Sequence, residues 1–239
     1  MARAADGAGS VWVFDLPGCR AVGPSVDEAK ALLPVVVAEH LSWLRGHGEK
    51  ITDDADFDYV EDVDLRGEFV FKADKAPISA DELETAVRHI AYAQRDLVMI
   101  AKPLPDAVRE WKPPASSVKI DAIFPDVRTM NDMLAHLAVV ESNYYLGGLR
   151  DGEVQAVSTD APDAFDLEQS TATRLRELDE DVLSGRVYTR TTPRGESNWS
   201  ARKVIRRIVA HKRFHTREIE QRLCWLTLGV PEILPVNRE

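Results

Sequence analysis

The sequence predicts an α+β N-terminal domain followed by an all-α four-helix bundle. Three observations predict it. Short apolar runs punctuated by Pro-Gly and Gly-Pro turns occupy the first 75 residues, the hydrophobic period changes from two towards 3.6 near Ile78, and four amphipathic stretches follow from there. The predicted domains are residues 10–75 and residues 78–228, joined by the charged, proline-bearing connector Lys72–Pro77.

Each element has a local cause. Val11–Asp15 and Cys19–Val22 are short strand candidates on either side of Leu16-Pro17-Gly18. Ser25 followed by Glu28 has the form of a capping box, so a helix is expected from there to about Trp43–Arg45, stopped by Gly46 or Gly48 and kinked at Pro34. Tyr59–Leu65 and Glu68–Lys72 are further strand candidates, and Met1–Ser10 reads as a loose tail without a signal-peptide core. Leu83, Val87, Ile90, Gln94, Leu97 and Ala101 form the stripe of a first long helix, capped by Ser79 and ended before Pro103. A proline-rich crossover without a helix leads to a second helix, with Thr129 as N-cap, running to about Leu146. A third is expected from Asp163 to Ser184-Gly185. Arg186–Asn198 reads as a polar loop with room for a short hairpin, and Ser200 opens the fourth helix, which continues to about Leu226.

The 30 basic and 40 acidic residues give a net charge of −10, which argues against nucleic acid or an anionic membrane as partner. The longest apolar run, Ala31–Ala38, is too short to span a bilayer. Two cysteines in unrelated contexts exclude a disulfide framework, and the expected setting is a soluble, reducing, cytoplasmic one. The charge is unevenly placed. Acids dominate Ile51–Glu68 and bases dominate Trp199–Arg222, so two charged faces meeting each other, or an anionic ligand beside Arg202 or Arg206, are the two readings.

Three of the six histidines form a constellation. His211 and His215 are one helical turn apart on the stripe that also holds Val204, Ile208 and Ile219, and His136 lies on the inward side of the second helix between Met133 and Val140. Three imidazoles aimed at one core each need a partner for a ring nitrogen, and one divalent ion would serve all three. A His-x-x-x-His pair alone is more often structural than metal-binding. Lys212 stands where a zinc protease would carry its glutamate, which excludes that chemistry. Asp132 is either a helix-start acid or a carboxylate that orients His136. His89 reads as a boundary residue, His40 and His47 as exposed, and Cys224 lies too far beyond His215 to join one ion. Asp54-x-Asp56-x-Asp58 fails as a calcium loop because Tyr59 and Leu65 replace the required glycine and glutamate.

The segments Leu134-Ala135-His136-Leu137, Trp199–Val204 and His211–Ile219 resemble the DinB/YfiT superfamily over roughly Ile78–Leu228. That resemblance implies a four-helix bundle holding a divalent metal with His136, His211 and His215: zinc first, with nickel or iron as alternatives. It also implies a small-molecule substrate or a thiol cofactor, in a transferase, isomerase or hydrolase. Val13–Gly23 together with Ser25–Ala29 resembles the HicB-like domain, a small α+β fold, here expected to serve as a packing, dimerisation or lid module. A homodimer is therefore among the expected partners. Three functions follow as expectations: a metal-dependent small-molecule enzyme, a non-catalytic metal-stabilised binding or resistance protein, and a HicB-like regulatory interaction protein.

Overall fold

The computed structural model describes residues 1–3, 8–51, 58–64, 69–113, 129–153, 158–192 and 195–229. The protein is mixed α+β. Strands β1 (Ala2–Arg3), β2 (Gly9–Trp12), β3 (Arg20–Gly23) and β4 (Val63–Asp64) form one sheet in the order β3-β2-β1-β4. Helix α1 (Val26–Gly46) lies on β2 and β3. Its turn-spaced Leu33, Val37 and Leu41 join Val11, Cys19 and Ala21 in a small core. Ser25 caps α1 by accepting from the Glu28 amide, and the helix continues through the exposed Pro34.

Two of the expectations for this part change. Among the described residues of 1–10, Ala2–Arg3 is not part of a loose tail, because it pairs with both β2 and β4 and Ala2 is buried beside Trp12 and Phe71. Among the described residues of Tyr59–Leu65 only Val63–Asp64 is a strand, and those of Glu68–Lys72 form none: Phe71 turns into the core instead of pairing. The Asp54–Asp58 motif falls largely outside the described residues.

The helical part contains α2 (Ala80–Ala101), the single turn α3 (Asp106–Arg109), α4 (Met130–Val139), α5 (Leu167–Arg176), α6 (Glu180–Leu183) and α7 (Ala201–Leu228). The crossover after Pro103 is expected to carry no helix, yet α3 follows Pro105, which stands at its N-cap. Capping boxes at Ser79/Glu82 and Thr129/Asp132 start α2 and α4. Helix α4 continues as a π segment over Val140–Tyr145, and this wider turn buries the consecutive side chains Val140, Glu141 and Ser142. The expected third helix is divided. A 3₁₀ turn at Ala164–Asp166 leads into α5, the chain breaks at Glu177–Asp179, and α6 restarts where Glu180 and Asp181 favour a helix N-terminus. Strands β6 (Tyr188–Thr192) and β7 (Gly195–Trp199) form the hairpin within Arg186–Asn198, with β5 (Gly152–Glu153) parallel to β6. Helix α7 packs on α2 and α4, and α2 also packs on α5. No helix among the described residues is long and apolar enough to cross a membrane.

The start of α7 is fixed by its cap. Ser200 Oγ accepts from the Lys203 amide, while the buried Trp199 packs on Tyr144 and Tyr145. Ser200→Ala is expected to cost about 1 kcal/mol, read as a lowered urea midpoint. An unchanged midpoint would remove the cap from the account of α7.

Three basic residues of α7, Arg206, Arg213 and Arg217, face the N-terminal part. The Arg206 guanidinium donates twice to Asp74, at 2.8 and 2.7 Å, and lies over the Trp12 and Phe71 rings. Arg213 donates to His40 Nδ1 and stacks on Trp43, and Arg217 pairs with Glu39. Arg202 bonds the Ala76 and Pro77 carbonyls and Glu82. Neither Arg202 nor Arg206 is therefore left for an anionic ligand. Gly18, at φ +90°, passes so close to Val209 that a Cβ there would sit 2.4 Å from its Cγ1.

The expectation that His40 and His47 are exposed is overturned in the same seam. His40 is 0% exposed between α1 and Arg213, and His47 stacks on Tyr92 with Nε2 3.1 Å from Asp96. Burial, aided by Arg213, holds the His40 pKa down at about 2, and burial also lowers that of His89 against the opposing effect of Glu49. Above pH 6.5 these rings are neutral both folded and unfolded, so they contribute no pH dependence. Below it the unfolded chain takes up protons that the folded one refuses, and stability is lost as pH falls. The expected loss is about 1.4 kcal/mol per pH unit for each ring well below its ordinary value. Urea midpoints measured from pH 7.5 to 5 should fall accordingly, less steeply in His40→Gln. A flat profile would contradict the burial of a neutral His40.

Candidate metal centre

Helix α4 carries His136 and α7 carries His211 and His215, and the packing of the two helices brings the rings together. One ligand atom from each lies within 4.8 Å of the others. The Nε2 atom of His211 is 3.1 Å from that of His136 and 2.9 Å from that of His215. The three ring planes stand edge to face, with centroids 4.5–5.2 Å apart.

A residue three positions beyond the last histidine sets the proton arrangement. The Glu218 carboxylate lies 2.6 Å from His215 Nδ1 and accepts its proton, which leaves the Nε2 lone pair directed at the other two rings. Burial, with the neighbouring His215 and His136 and then Arg207 and Lys212, holds the His211 pKa well below its ordinary value, so that ring is neutral. Nε2 atoms facing one another cannot all be donors and acceptors to their mutual satisfaction. A cation at their meeting point resolves this, because each lone pair then has a partner. Donors on a tetrahedral zinc ion with 2.0–2.1 Å bonds stand about 3.3 Å apart, close to the two Nε2 separations at His211. The donor set fits a divalent ion.

The surroundings are half open and half dry. His136 and His211 are partly exposed and His215 is buried; Tyr145 lies edge-on to His211 and the exposed Phe214 edge-on to His215. Behind α7, Lys212 Nζ is 2.6 Å from the Glu141 carboxylate and also donates to Gln94, while Thr171 donates to Glu141 and Gln94 donates to the Ala164 carbonyl. This buried network joins α2, the π segment, α5 and α7 directly behind the histidines.

The expected site residues thus come together. His89 lies elsewhere, buried next to Trp43 and 3.8 Å from Glu49, and burial pushes the Cys19 thiol up to about 12, away from a reactive thiolate. Asp132 accepts from the Thr129 amide in its capping box. Glu218 was missed as a functional residue, although its signal was present as His-x-x-Glu at helical spacing. No family model matches the chain, and no curated protein or solved structure matches it either.

Proposed function

We propose that the protein is a metal-dependent enzyme of the DinB-like four-helix-bundle type, acting on a small molecule as a thiol transferase, isomerase or hydrolase. The observation that carries this reading is the convergence of the His136, His211 and His215 Nε2 atoms at a partly exposed point between α4 and α7. These residues would hold the ion, zinc first and nickel or iron as alternatives. Bound there, it supplies Lewis-acid polarisation and a lowered pKa for a bound water or thiol.

The chain's own residues do the rest. Glu218 holds His215 in the tautomer that offers Nε2, and burial keeps His211 neutral. Tyr145 and Phe214 flank the two α7 rings and limit access of water. The partial exposure of His136 and His211 favours an enzyme over a metal that only stabilises the fold, since a structural ion is ordinarily closed off by its ligands. The HicB-like part serves as a packing module, a role supported by its contacts with α7 through Arg206, Arg213 and Gly18.

The test is metal analysis of the full chain purified without a histidine tag, followed by thiol-transfer and ester- or amide-hydrolysis screens on the loaded protein. About one equivalent of metal with turnover supports the reading. Metal without turnover in any screen would favour the non-catalytic binding protein, and no metal after reloading would overturn the proposal.

A further inference from the structure

Among the described residues, Arg88, Arg176, Arg186, Arg202, Arg206 and Arg217 each meet a carboxylate. Arg150, Arg174 and Arg190 are exceptions. Arg174 donates to the Ser142 carbonyl at 2.9 Å, and Arg190 reaches the next carbonyl, Asn143, at 3.5 Å, the outer limit of a hydrogen bond. Arg190 is only 2% exposed, and its buried Nε has no hydrogen-bond partner. Arg150 is exposed and precedes β5, whose Gly152 pairs with Arg190. Burial lowers the pKa of both Arg174 and Arg190, and the Arg150 charge adds to that in each case, so Arg150 lies near both.

A carbonyl satisfies an N–H but does not neutralise a charge. Arg174 and Arg190 on one turn, with the Arg150 charge near both, therefore carry positive charge that their carbonyl partners do not offset. Glu141 is felt by Arg174, but its carboxylate already engages Lys212 and Thr171. The chain as a whole carries a net charge of −10, so an external anion is drawn only to a local concentration of cations such as this one.

We propose that Arg150, Arg174 and Arg190 form a binding site for the carboxylate or phosphate group of a small ligand, beside the Ser142–Asn143 turn. Guanidinium forks match the planar or tetrahedral oxygens of either group. The exposed Arg150 receives the ligand, and Arg190 holds it from below. Two residues beyond Asn143 on the same π segment, Tyr145 stands 5.6 Å from the His211 ring, centroid to centroid. The anion site and the histidines thus share one segment. That the anion belongs to the molecule acting at the histidines rests on the function proposed above; the site itself does not.

The two can be tested apart by titrating the full-length protein, stripped of metal with EDTA, calorimetrically with inorganic phosphate and, separately, with succinate at low salt. One saturable site is expected for at least one probe, and the preferred probe tells phosphate from carboxylate. Arg190→Met should weaken it about tenfold or more, and Arg150→Gln, on the surface, carries the same test if the buried variant does not fold. Arg176→Gln, whose residue pairs with Glu84 on the outer faces of α5 and α2, should bind as the wild type does. Absence of saturable binding by both probes, or unchanged binding in Arg150→Gln and Arg190→Met, would overturn the proposal. Because no metal is present, either outcome is independent of the histidine site.

Discussion

Replacing His136, His211 or His215 by alanine is expected to lower bound metal from about one equivalent to near zero, and any turnover with it. Each ring supplies one of three Nε2 donors from two different helices, and two imidazoles on α7 without His136 leave a weak, solvent-competed pair. Glu218→Gln should have a smaller effect, about 10–100-fold in affinity, as for other groups that orient a metal-bound histidine. His89→Ala should leave occupancy unchanged, since that ring lies against Trp43 and Glu49. Acidification should weaken binding, because protons compete for the neutral nitrogens that form the site. The measurement is metal content of wild type and variants after reloading with zinc and removal of the excess. Full occupancy in His136→Ala would exclude the three-histidine centre.

What the sequence made legible was what local chemistry determines. The caps Ser25, Ser79, Thr129 and Ser200 are each read from one hydroxyl and a nearby amide, and all four start helices within a residue of the expected place. The inward stripe of α7 likewise follows from a fixed period, so His211 and His215 were identifiable as neighbours, and His136 as facing the same interior. The seam was not legible. Whether His40 faces water depends on Arg213, 173 residues away in the chain, and the strand Ala2–Arg3 exists only because β2 and β4 flank it. The surplus of bases on α7 was visible as a charge run, but composition does not tell a surface awaiting a ligand from one already paired with Asp74, Glu39 and Glu82. Arg174 and Arg190 are far from Ser142 and Asn143 in the sequence, and their approach to that one turn is visible only in the fold.

Lys212 illustrates the same limit with the largest expected effect on stability. In the sequence it counts only as the residue that excludes a protease motif; in the fold it is 0% exposed and paired with a Glu141 carboxylate that is 1% exposed. Burial lowers the lysine pKa, and the Glu141 charge and hydrogen bond oppose that. Lys212→Met leaves Glu141 as an uncompensated buried charge and removes a donor from Gln94, for an expected loss of about 3–5 kcal/mol. The double variant Lys212→Met/Glu141→Leu removes both charges and should recover much of that loss, because a buried ion pair replaced by apolar groups of similar size is often near neutral. Metal-free protein is the right material, so that the readout is folding and not metal retention. Urea midpoints of the two single variants and the double variant give the coupling directly. A Lys212→Met variant within 1 kcal/mol of wild type, or a double variant no more stable than the worse single one, would show that this network does not hold the four helices together. If the coupling is found, Lys212 and Glu141 fix the approach of the π segment to α7, and with it the meeting of His136 with His211 and His215.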